Sequence, residues 1–438
     1  MSKRKKLKEV CKDVLIILLT CSALMLAVKT RLMAPLSPGQ GSGTGPGGAE
    51  TGQSAGRAGT ARPIRICANG TGGAGDGRCA VQYSRDDLDA LFQKTGPLLL
   101  EALSGAGEAE KTERRYWEDA LTGKPGFCFD FGGAVPLEML PGWQPDGFMP
   151  GQTAVRRIAI TLDGRAADIF FLNEADGSCF RSRSSAEISD RAAEILALLP
   201  NNGAFYAFEE RWCDGIDPDT LFQPDIPAQS VYQAGSPVSG SRADLEQLMK
   251  ELDLPVSSSS FYLSGDEMVA RSGNDMLRLS KRGTARYEAD GESDSFPVPR
   301  LERGSSLLEA VEACRRVAAA TLAPRTGAAR LYLLSAESSQ KGTEVVFGYN
   351  LDGMPVWLDR GEAARFLVRS GHIVRFELNF RSYTDSGTDR AVLPPRQAAA
   401  AMDALALNEQ ELVLLYEDSG RETVAAGWAA VRRDDGEE

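Results

Sequence analysis

Apolar positions along residues 63–438 follow two periods, and the switches between them mark the elements. Apolar residues three or four apart predict helices over 88–103, 188–199, 245–252 and 307–322. Each run is preceded by a Ser-x-x-Asp/Glu spacing: Ser84 with Asp87, Ser184 with Glu187, Ser241 with Asp244, Ser306 with Glu309. In that spacing the hydroxyl and the carboxylate satisfy each other's backbone N–H groups at a helix start. Pro394-Pro395 opens a fifth helix over 396–405, because proline is pre-set for the first helical turn. Between the helices, runs rich in β-branched and aromatic residues predict strands at 64–66, 80–83, 126–131, 158–162, 167–172, 178–183, 204–208, 261–263, 276–280, 328–334, 344–349, 365–369, 373–380 and 412–416. Strands arrive in hairpin groups separated by single helices rather than in βαβ alternation. The pattern therefore predicts an α+β fold of antiparallel meander sheets, each packed by a few helices. Its spacing divides into three subdomains: N-terminal 63–235, middle 241–300 and C-terminal 301–432.

The first 62 residues read differently. Residues 1–33 carry eight basic residues against two acids, +6, which leaves −18 on the remainder of a chain whose net charge is −12. From Val14 to Val28 no residue is charged. As a helix this stretch measures about 22 Å against a hydrocarbon core of roughly 30 Å, so it spans only if Lys12, Lys29 and Arg31 snorkel outward. The expectation is a cytoplasmic tail at 1–13 and a transmembrane signal anchor at 14–33 whose apolar residues are Val14, Leu15, Ile16, Ile17, Leu18, Leu19, Leu24, Met25, Leu26 and Val28. A cleaved signal peptide is the rival reading; no clear small-x-small site lies after Val28. Both readings export the chain beyond Met33, and the basic tail sets the orientation. Cys21, Ser22, Ala23 and Ala27 are small residues that permit close helix packing in lipid, the alternative being a lipid-facing anchor with no partner. Residues 34–62, with nine glycines and three prolines, form a tether.

Composition narrows the chemistry. An acidic chain is a poor nucleic-acid ligand, because such affinity rests on neutralising phosphates. A single histidine, His372, excludes two-histidine zinc chemistry and any relay of paired imidazoles. It sits at a hairpin turn as a solvated group with no nucleophile placed for it. Glu209-Glu210 and Glu417-Asp418 are adjacent pairs, and adjacent residues of a strand point to opposite faces, which a two-carboxylate cleft does not allow. Asp214 to Asp219 has the wrong spacing for a calcium loop and reads as a solvated turn. Gly70-x-Gly72-x-x-Gly75 runs on into Arg78-Cys79-Ala80-Val81 rather than a phosphate-facing helix. Phe205, Tyr206, Phe208 and Trp212 read as a core strand, and Cys314 as an inert core thiol. Cys67 and Cys79 flank a Gly-rich turn between two strand-like runs, where either a cross-strand disulfide or two separate thiols fits. There is no CxxC pair, and no catalytic, cofactor-binding or metal-ligating set emerges, so no cofactor is expected.

One resemblance adds to this. The basic tail with one span, the run Phe347-Gly348-Tyr349-Asn350-Leu351-Asp352-Gly353-Met354-Pro355-Val356 leading to Gly371-His372-Ile373, and a late helix before Leu412-Val413-Leu414-Leu415-Tyr416 and Gly427-Trp428 together make 241–432 resemble the YycH/YycI-type membrane regulators. The resemblance implies a non-enzymatic cell-membrane protein whose extracytoplasmic domain and span contact a two-component sensor histidine kinase and a paralogous regulator. The alternative is an envelope- or spore-associated scaffold, or a processing enzyme with an unlocated carboxylate site.

Overall fold

The computed structural model describes residues 62–72, 75, 77–140, 154–174, 176–289, 295–300, 306–404 and 410–432. The expected tail, span (Val14 to Val28, with Cys21, Ser22, Ala23 and Ala27) and tether lie outside the described residues. Among those described, no helix is long and apolar enough to cross a membrane.

The fold is α+β, with two large sheets. The first joins β1 (Arg65–Thr71), β2 (Gly77–Val81), β3 (Ala106–Thr112), β4 (Gly126–Pro136), β5 (Ala154–Asp163), β6 (Ala166–Leu172) and β7 (Cys179–Ser184) in the order β2-β1-β4-β5-β6-β7-β3. Every pair is antiparallel. The period-2 pattern sends Ile66, Phe127, Phe129, Ile158 and Ile160 to one face, beneath α1 (Arg85–Ser104) and α3 (Ser189–Leu198). Cys67, Cys128, Ala159 and Phe170 go to the other, beneath Trp117, Ala120 and Leu121 of α2 (Arg114–Thr122). Apolar positions on both faces bury this sheet from both sides.

Two short strands, β8 (Phe205–Tyr206) and β9 (Leu221–Phe222), pair with each other, and β10 (Gln229–Gly235) leads to α4 (Arg242–Glu251). The second sheet has eleven strands. Its members are β11 (Ser260–Ser264), β12 (Glu267–Ser272), β13 (Asp275–Ser280), β14 (Thr284–Ala289), β15 (Arg330–Ser339), β16 (Gly342–Leu351), β17 (Met354–Leu358), β18 (Ala364–Arg369), β19 (His372–Asn379), β21 (Gln410–Asp418) and β23 (Ala426–Arg432). It branches at β16: β15 pairs along one edge, while β18 takes residues 343–347 of the other and β17 takes 349–351. One arm then runs β18-β19-β14-β13-β12-β11 and the other β17-β21-β23, with β17 and β21 the parallel pair in this sheet. The hairpin turns at Asp352-Gly353 and Ser370-Gly371 have positive φ at both central residues, the form that matches strand twist. β20 (Ser382–Arg390) and β22 (Thr423–Val424) flank β10. Helices α4 and α5 (Ser306–Thr321) bury Leu245, Leu248, Leu308, Val311 and Cys314 in the apolar cluster that runs from the first sheet into the second. α6 (Pro395–Ala404) packs Ala398, Ala399 and Met402 on Leu412 and Phe222.

Several expectations are corrected. Ser84 and Ser241 do cap helices: Ser241 Oγ accepts from Asp244 N at 3.2 Å while Asp244 Oδ2 accepts from Ser241 N at 3.3 Å. Ser184 does not. It ends β7 and donates to the Ala102 carbonyl at 2.7 Å, so the helix starts at Ser189. The described part of α5 begins at Ser306, and the residues before it lie outside the described ones. The aromatic run at 204–208 is a two-residue strand that passes into 3-10 turns. The segments 241–300 and 301–432, expected as separate subdomains, share one sheet through β14 and β19, and β10 of the first segment pairs with β20 of the last.

Candidate functional site

Two charged arrangements stand out, one buried and one exposed. The buried one starts from a row across three strands, in which Arg65 on β1 faces Asp130 on β4 and Asp130 faces Arg157 on β5. Arg156 would ordinarily point away from that row, being next to Arg157. It does not, because the register between β4 and β5 breaks between Asp130 and Val135 and leaves the segment 131–134 opposite Arg156 alone. Gly132, at φ +77°, donates its N–H to Asp130 Oδ1 at 2.8 Å and turns the bulge. Gly133 then lies against β15, where an added Cβ would stand 2.3 Å from the Leu334 carbonyl oxygen.

Glu411 of β21 completes the junction from the second sheet. Arg156 donates to Asp130 Oδ1 (3.0 Å) and Glu411 Oε1 (2.7 Å), with a further short contact to Glu411 Oε2. Arg65 and Arg157 reach Glu411 Oε1 at 3.3 and 3.1 Å. Three guanidiniums thus share two carboxylates, and Asp219, fully buried, extends the network: it accepts from Arg114 at 3.0 Å and Trp117 Nε1 at 2.9 Å. The turn at 214–219, expected to be solvated, is therefore partly interior, with Asp217 and Asp219 both buried. Burial by itself would raise the Asp130 and Glu411 carboxyls, but the arginines outweigh it and hold both well below the usual carboxylate range. Elsewhere, burial pushes the Cys67 and Cys213 thiols and the Tyr83 phenol up to about 12. These carboxyls, thiols and phenols are displaced away from neutrality, so none is poised as a general acid or base.

The exposed arrangement lies on the second sheet. Alternation turns Leu277, Tyr287, Phe376 and Phe366 inward and Arg278, Arg286, Glu377 and Arg365 outward, and these four outward residues are register partners across β13, β14, β19 and β18. Arg278 and Arg286 are like charges placed opposite each other, and Glu267 sits within 3.7 and 3.5 Å of them. Arg286 bonds Glu377 at 2.8 Å, and Arg365 pairs with Glu362 at 2.7 Å and with Glu344. This ladder lines a groove of about 530 Å³ whose charged side chains stay 20–55% exposed. A charged, solvated sheet face of this kind is unlike the mostly apolar pockets that capture small ligands.

The structure also places the remaining residues singled out from sequence. Cys67 and Cys79 are both buried and free; Cys79 faces Ala68 in the β1–β2 register, which puts the two on opposite faces, so no bond joins them. His372 Nδ1 lies 3.2 Å from the Ser370 carbonyl at its turn. Glu209 pairs with Arg78, and Asp418 is buried against Arg381 (2.7 Å) and Tyr383 (2.8 Å). Asn69, the acceptor of an Asn-Gly-Thr sequon, spends its amide on the carbonyls of Thr122 and Lys124. Among the described residues no three His, Cys, Asp or Glu side chains are grouped as metal ligands. Motif and spacing alone do not reveal the junction. Its signal in the chain is charge set inside apolar strand runs, with Asp130 between Phe129 and Phe131, Arg156-Arg157 before Ile158, and Glu411 before Leu412.

No protein-family model matches the sequence, and no curated protein matches it. A solved structure does: the crystal structure of YycH from Bacillus subtilis aligns with a TM-score of 0.56 over 85% of this chain and 93% of that one, at 11% sequence identity. The chain has a YycH-like fold, and the likeness extends well beyond 241–432. The YycI half of the resemblance rests on sequence alone.

Proposed function

We propose that this chain, built on a YycH-like fold, is a single-pass membrane protein whose extracytoplasmic α+β domain regulates a two-component sensor histidine kinase without catalysing a reaction. The observation that carries the reading is the shared fold over most of both chains. Two features agree with it. The buried charges are committed to one another, and the solvated ladder on β13, β14, β19 and β18 offers a partner-sized face. In this reading the residues Val14 to Val28 anchor the chain and pack beside the kinase's helices, the tether holds the domain off the bilayer, and a paralogous regulator is a second partner. The location is the cell membrane, with the N-terminus cytoplasmic.

Photo-crosslinking in native membranes tests this, with reactive groups placed along 14–28 and at Arg286 and Arg365. Capture of a sensor kinase through the span, and of an exported protein through the ladder, is the expected result. A span that captures nothing, together with a ladder that captures only wall or spore-coat material, overturns the regulatory reading in favour of an anchored scaffold.

A further inference from the structure

We propose that Cys67 and Cys128 form a disulfide site across the β1–β4 strand pair. The two are direct partners in the antiparallel register, so their side chains leave the sheet on the same face. Both belong to the cluster beneath α2, and the Tyr206 hydroxyl lies beside both sulfurs. Directly opposed strand residues hold their Cβ atoms about 4.5–5.5 Å apart, and a disulfide asks for roughly 3.5–4.5 Å, so a small closure of the pair is enough. No other described cysteine is so placed. Cys79 is on the opposite face, Cys179 lies three strands from β4, and Cys213 and Cys314 sit in other clusters.

The bond forms by exchange with a small-molecule disulfide such as oxidised glutathione. The thiolate of one cysteine attacks it and releases one thiol; the second cysteine then attacks the mixed disulfide and releases the other. The cysteine pair is oxidised by two electrons, glutathione disulfide is reduced to two thiols, and these take the two protons. Once the sheet is covered, burial keeps both cysteines protonated and shielded, Cys67 with its thiol pushed up to about 12. Exchange therefore belongs to folding, before α2 and Tyr206 close over the pair.

The test is to reduce and unfold the full chain, refold it in a buffer of reduced and oxidised glutathione, alkylate, digest and map the linked peptides. The expected product joins Cys67 to Cys128, survives Cys79→Ala and is lost in Cys128→Ala. The folded, reduced chain in the same buffer should form it at least tenfold more slowly, by order of magnitude. The same mapping on chain exported to a bacterial periplasm, where bonds form as chains fold, is the second measurement. Individually alkylated Cys67 and Cys128 in both preparations, or a Cys67–Cys79 link, overturns the proposal.

Discussion

The buried junction and the exposed ladder are made of the same materials, arginine and acidic side chains on neighbouring strands, yet they do opposite things. At the junction, Arg156, Arg157, Asp130 and Glu411 have 2–14% of their side chains exposed, so each charge must be met by another. The β4 bulge aims two consecutive arginines at the same carboxylates, and Glu411 arrives from the second sheet. That arrangement fixes how the sheets meet. On the ladder, Arg286 and Arg365 are about half exposed, water answers most of the charge, and each pair is worth little to stability. Burial rather than residue type decides whether a charged pair helps hold a fold together or is answered mainly by water.

The contrast breaks most easily at Glu411. Replacing it with alanine leaves three guanidiniums sharing Asp130, with Asp219 near Arg157 only, and we expect a loss of about 3–5 kcal/mol in urea denaturation, the size seen when one partner of a buried pair is removed. A loss below that of an ordinary surface variant would reduce the junction to a bystander. Acid probes the same charges. Because the folded Asp130 and Glu411 carboxyls sit below their unfolded values near 4, their contribution is complete above that pH and is lost as the pH falls toward the folded values. Stability should therefore decline from about pH 5 downward, less steeply in Glu411→Gln than in the native chain. Gly133→Ala drives a Cβ into the β15 backbone at Leu334, and thermal melts should register about 1–3 kcal/mol of destabilisation. The ladder should respond least. Arg286→Ala or Glu377→Ala should cost less than about 1 kcal/mol, shrinking further as salt is raised. If Arg286→Ala proves as damaging as Glu411→Ala, the distinction between structural and spare charge fails.

How much of this can be read along the chain depends on the range of the forces involved. Helix starts at Ser84 and Ser241 are legible because capping closes within four residues. Ser184 has the same spacing and fails, because its hydroxyl is claimed by Ala102, 82 residues away, and its backbone by strands on either side. β3 and α2 leave no clear trace in the pattern: Ala106–Thr112 is a polar edge strand, and Arg114–Thr122 has no side-chain cap and only three buried residues. The α+β class, most strands of both sheets and the resemblance to the YycH/YycI-type regulators come from period, turn residues and short motifs. What only the tertiary structure decided is where the segments meet. The branch of the sheet at β16, the pairing of β10 with β20, and the gathering of Arg65, Asp130, Arg156, Arg157 and Glu411 each join residues far apart in sequence. Hydrophobic periodicity tells a strand which face to bury; it carries no information about which distant strand will lie beside it or which charge it will find there.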